Sequence, residues 1–255
     1  MNNPSIDQAR LFEFDSVSLK HGDHKQNPSL NACVMEAVAY VAGEPWSDHP
    51  QCACPVITAF LISWNDSLPT DAERDRLLKP LIPLIVGTRS TPAVEERRSY
   101  MALDWLIRVH TPKWLDMVPA LREHAAALRE HAEIADMAGA AAAGVKVSVA
   151  LDAAWATWDA AGTAAGTATR ASAGTAARAA TRASAGTAAR AARAARAARA
   201  AAWDARAAAW DAARAAAWDA RAAAWDAAQA TLKPTTQWLQ TSALDLVRGM
   251  VEVRP

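Results

Sequence analysis

The chain has 255 residues, 27 Lys/Arg against 27 Asp/Glu, and three cysteines, which is room for one large domain or for a domain with an appendage. An odd cysteine count, with no basic-then-apolar leader after Met1, points to a reducing cytosol and away from export or a disulfide scaffold. Arg recurs every few residues through the longest apolar-looking tract, so no membrane span is expected.

Charge is unevenly spread. Residues 1–145 hold 13 Lys/Arg and 19 Asp/Glu, 146–202 hold 8 and 2, and 203–255 hold 6 and 6. Alanine inflates the apolar share and buries little area. The core must therefore come from the larger side chains of the first 135 residues and the last 20.

In chain order, "LFEFDSVSLK" (11–20) predicts one or two short strands by its alternation. "SLNACVMEAVAYVAG" (29–43) predicts a helix capped by Ser29 or Asn31 and closed by Gly43. It is apolar on nearly every side, as a central helix would be. "CPVITAFLISWND" (54–66) predicts a second helix, and "TDAERDRLLKPLIPLIVG" (70–87) a third, interrupted at Pro80 and Pro83. A fourth spans 91–110. Residues 111–139 supply one or two more, with Leu121 and Leu128 a heptad apart on one face.

From about Val145 to Thr231 alanine dominates. "TRASAGTAARAA" occurs twice, at 169–180 and 181–192, and the unit "WDARAAAWDAARAAA" that begins at Trp203 starts again at Trp218, matching over its first eleven residues. Alanine and arginine favour helix, with breaks offered at Gly162, Gly166, Gly174 and Gly186, each followed by Thr. Pro234 is expected to stop the tract, and 235–253 resumes an amphipathic helix with Leu239, Ala243, Leu246 and Met250 near one face. That helix has too much apolar surface to stand alone. The simplest topology is a hairpin with its tip near Gly186 and limbs of about 40 residues, about 60 Å each; a bundle of shorter helices is the rival.

The expectation is thus an all-α fold with at most a short amino-terminal β element. A helical core (1–140) is followed by an alanine-rich arm (141–231) and a carboxy-terminal helix (232–255) packing back on the core.

Trp203, Trp210, Trp218 and Trp225 recur at seven, eight and seven residues, about 3.67 per turn, so they share one stripe of a nearly straight helix. Arg206, Arg214 and Arg221 fall between them at cation–π spacing. Such a stripe either packs against the partner limb or binds a partner, Trp and Arg being favoured at interaction hot spots. The leading expectation is a non-catalytic protein–protein interaction or self-assembly protein.

Two readings of other classes stand beside it. Arg190, Arg193, Arg196 and Arg199, within the Arg-rich stretch 170–199, spread cations around a helix and would neutralise nucleic-acid phosphates without reading bases. Cys33, Glu36, His49, Cys52 and Cys54, with His21 and His24 nearby, are acceptable zinc ligand types and would suit a metal-dependent enzyme. Their spacing lacks a C-x-x-C pair and departs from the zinc deaminase order. Buried cysteine more often acts as a small hydrophobe. Glu36, the lone charge in its helix, needs a buried partner.

Residues 32–66 ("ACVMEAVAYVAGEPWSDHPQCACPVITAFLISWND") and 101–115 ("MALDWLIRVHTPKWL") resemble a family of actinobacterial and actinophage proteins with no known activity. Its members likewise carry a variable Ala/Arg/Asp/Trp tract and a closing segment like "LKPTTQWLQTSALDLVRGM" (232–250). The resemblance implies a bacterial or phage-infected cytosol and a tract inserted between two parts of one core. It assigns no residue a catalytic role.

Overall fold

The computed structural model describes residues 6–25, 31–184, 223 and 226–255, with 161–184 described as backbone. Its elements are helical: α1 (Gln8–Asp15), α2 (Val34–Val41), α3 (Pro55–Ser67), α4 (Asp71–Leu78), α5 (Ile82–Ile85), α6 (Pro92–Trp105), α7 (Thr111–Leu115), α8 (Arg122–Arg129) and α9 (Met137–Ser184). A last helix, α10, covers 226–252. The protein is all-α among the described residues.

The strands expected over 11–20 are not formed. Asp7 caps α1 instead, its carboxylate accepting from the N–H groups of Ala9 and Arg10, which satisfies donors a helix start leaves orphaned. The only extended pairing among the described residues is an isolated parallel bridge between Leu19 and Ala32. That bridge also moves the start of α2. Lys20 N–H donates to the Ala32 carbonyl at 2.8 Å, so the chain stays extended there and the N-cap is Cys33, neither Ser29 nor Asn31. Gly43, at φ +72°, supplies the left-handed residue that ends the helix.

α2 is buried along almost its whole length. Val34, Met35, Val38 and Val41 are fully covered, each such side chain contributing roughly 1.5–3 kcal/mol. They pack with Leu19, Ile57, Leu61, Leu77, Leu81 and Ile85, and with Val247 and Met250 of α10. Pro80 and Pro83 interrupt the helical run as a 3₁₀ turn, Lys79–Leu81, between α4 and α5. A second cluster joins Ile107, Leu128, Ile134, Ala143 and Ala150. Leu121 and Leu128 are both buried.

Between α6 and α7 the helix widens into a π turn, Leu106–His110. Pro112 explains it: proline has no N–H for the carbonyl of Arg108, and its ring would clash with that carbonyl in an α turn. The Thr111 N–H bonds to the Leu106 carbonyl instead, and Thr111 Oγ1 donates to the same oxygen at 2.8 Å.

The chain divides into two units, Met1–Ala150 with Gln237–Pro255, and Leu151–Thr236. In the second, two expectations are corrected. α9 runs through Gly162, Gly166 and Gly174 without a break, because one glycine costs about 1 kcal/mol relative to alanine and the flanking alanines outweigh it. α10 passes through Pro234; the proline forfeits the bond to the Ala230 carbonyl but does not end the helix. The expected tip at Gly186 lies outside the described residues.

Candidate functional site

Glu36 is 1 % exposed, and its partners are found. Oε2 accepts from the Cys33 N–H at 2.7 Å and lies 3.0 Å from Nδ1 of His24, while Oε1 accepts from the His24 N–H at 2.6 Å. Nε1 of Trp46 donates to the His24 carbonyl at 2.8 Å. Glu36 is the third residue of α2, so its side chain folds back over the helix start, where a carboxylate also complements the dipole. The arrangement fixes His24 to the start of α2.

Of the five residues read as metal ligand types, Cys33 and Glu36 are neighbours through this cap. His49 pairs with Asp48 at the surface, at 2.8 Å. Cys54 caps α3, its N–H donating to Thr88 Oγ1 at 3.0 Å. The three cysteines are free and buried. Burial pushes the Cys33 thiol up to about 12 and that of Cys52 up to about 11, so neither supplies a thiolate near neutrality. Among the described residues no three His, Cys, Asp or Glu side chains are grouped to hold a metal ion.

The Trp/Arg stripe (Trp203, Arg206, Trp210, Arg214, Trp218, Arg221, Trp225) and Arg190, Arg193, Arg196 and Arg199 lie outside the described residues. What is described of the alanine-rich segment includes α9. Leu151, Trp155 and Trp158 are 54 %, 59 % and 73 % exposed. Spaced at i, i+4 and i+7, they share one face. The segment Met137–Ala160 is also long and apolar enough to cross a membrane by length and composition, with a mean hydropathy of 1.3 and 11 % of the window buried. It carries Lys146, Asp152 and Asp159.

Two arginines missed by the sequence reading organise the first unit. Arg98 is 1 % exposed. Its Nε donates to the Met250 carbonyl (2.7 Å), Nη1 to Thr88 (2.6 Å) and Nη2 to Val253 (3.1 Å), a cation set against the carboxy-terminal end of α10. The signal was present: Val94, Arg98, Met101 and Trp105 share a helical face, and an arginine among apolar residues there must find acceptors. Arg74 does the same for the end of α3, donating to the carbonyls of Asn65 and Leu68.

The π turn presents Arg108 and Val109 to a cleft of about 320 Å³ that Lys113, Asp116, Arg129 and Trp238 complete. Lys113 Nζ sits 4.8 Å from the Trp238 ring centroid, within cation–π range. Arg129 Nη2 pairs with Asp116 at 2.5 Å and Arg108 Nη1 with Asp104 at 3.1 Å. Arg108 Nε is buried and has no acceptor among the described residues, a deficit worth on the order of 1–3 kcal/mol. A larger open groove of about 890 Å³ mixes signs, Arg97 and Arg254 facing Glu96, Glu133, Asp136 and Glu252.

A scan against protein-family models finds no matching family, and searches of curated proteins and of solved structures return no match. The chain is placed by its fold, as an all-α protein.

Proposed function

We propose that the chain is a non-catalytic interaction protein that self-assembles through its alanine-rich helical arm. The exposed face of Leu151, Trp155 and Trp158 carries the reading. Two indoles and a leucine on one helical face in water make an apolar patch of the kind that marks interaction surfaces, and indoles dominate interface energetics. The alanines between them let a second helix approach closely. Cytosolic residence and kinship with the actinobacterial and actinophage family belong to the same proposal; both rest on the sequence.

Sedimentation equilibrium of the full chain tests the reading against a Trp155→Ala/Trp158→Ala variant. The parent should sediment above the monomer mass of 27.1 kDa, and the variant should shift toward it with unchanged helix content. A parent that stays monomeric at every concentration, or that binds lipid vesicles in place of self-associating, overturns the proposal.

A further inference from the structure

We infer that the cleft walled by Arg108, Lys113, Arg129 and Trp238 is a binding site for a small phosphate monoester. The inference is independent of self-association, since none of these residues lies on the exposed arm face.

Charge comes first. Three cations and one carboxylate line the cleft, and Asp104 beside Arg108 brings the surplus to one positive charge, which favours an anion. The cations are not equally committed. Arg129 is held by Asp116, and Arg108 is held through Nη1 by Asp104. Lys113 makes no ion pair among the described residues and rests on the Trp238 indole. Arg108 Nε, buried and without an acceptor, is a donor that protein atoms leave unserved. Lys113 Nζ is thus the uncommitted cation of the cleft, with the Arg108 guanidinium beside it. Arginine suits planar, multi-oxygen acceptors and lysine adds a point charge, the pairing that phosphoryl groups favour.

Position and size agree. Arg108 and Val109 belong to the π turn, a geometry frequent at functional sites. About 320 Å³ is at the small end for ligand pockets. Trp238, 47 % exposed, gives an apolar wall for the organic part of an ester.

Isothermal titration of the full chain with phenyl phosphate tests the site. Saturable one-site binding is expected, with inorganic phosphate competing more weakly. Lys113→Gln and Arg108→Gln should each weaken binding about tenfold or more, equivalent to about 1.4 kcal/mol, while Arg97→Gln in the larger groove should leave it unchanged. Lys113→Gln guards against misfolding, because Lys113 holds no ion pair that the fold uses. Absence of saturable binding, equal binding of benzoate, undiminished binding by Lys113→Gln, or binding to phosphatidic acid vesicles without binding of the soluble ester would each overturn the assignment.

Discussion

Arg98 and Met250 are 152 residues apart in sequence, and Nε of the first donates to the carbonyl of the second at 2.7 Å. With Thr88 and Val253 also bound, one buried guanidinium ties α6 and the loop before it to the end of α10. Arg98→Met would keep the apolar stem and drop all the carbonyl partners. It should lower stability by roughly 3 kcal/mol, read as a reduced urea midpoint, with faster amide exchange over 247–252. An unchanged midpoint would show that water satisfies those carbonyls as well.

The Glu36 cap makes a graded prediction. Glu36→Gln keeps one acceptor but sets an amide against a backbone donor, costing about 1–2 kcal/mol. Glu36→Leu leaves the N–H groups of Cys33 and His24 both unpaired and should cost more, roughly 3 kcal/mol. Thermal unfolding of the two variants checks the order; a leucine variant as stable as the glutamine one would mean that the cap is not what holds His24.

The cysteines should be inert in the native protein. All three are buried, and burial holds the thiols of Cys33 and Cys52 at about 12 and about 11, far from the reactive range. A colorimetric thiol reagent at pH 8 should label none of them before denaturation and all three after it. Rapid labelling of Cys52 in the native state would contradict its burial.

His110 lies between Trp105 and Trp114, and burial holds its imidazole below the ordinary 6.5. In the unfolded chain it takes a proton near that value, in the folded one only at lower pH. Stability is therefore fully present above pH 6.5 and is lost as pH falls through the folded pKa. Nε2 accepts from Trp114 Nε1 at 3.3 Å, which protonation would also forfeit. His110→Gln, which keeps an acceptor and cannot titrate, should show a shallower loss of unfolding free energy between pH 6.5 and 5 than the parent. Parallel pH profiles would remove His110 from the acid limb.

Much of the helical frame was legible because apolar side chains recur at helical spacing and alanine favours one conformation. The failures share a cause: a local signal was outweighed by a contact made elsewhere. "LFEFDSVSLK" alternates like a strand, yet Asp7 just before it caps a helix. Asn31 is a good cap residue, but Ala32 is held extended by Leu19 and Lys20. The tract glycines cost about 1 kcal/mol each and Pro234 about 3 kcal/mol, and the long helical flanks outweigh both. The His24–Glu36 contact joins residues twelve apart in sequence, and the Arg108 cleft needed Trp238 from the far end of the chain. No periodicity encodes either one.

The anchoring of Arg98 has a bearing on biosynthesis. Its acceptors on α10, and the side chains of Val247 and Met250 that finish the nucleus, are translated only after the entire alanine tract. At about 5–20 residues per second, the amino-terminal helices wait on the ribosome for several seconds with a guanidinium and an apolar surface uncovered. A chain that ends within the alanine tract would lack the acceptors and side chains that close its own interior.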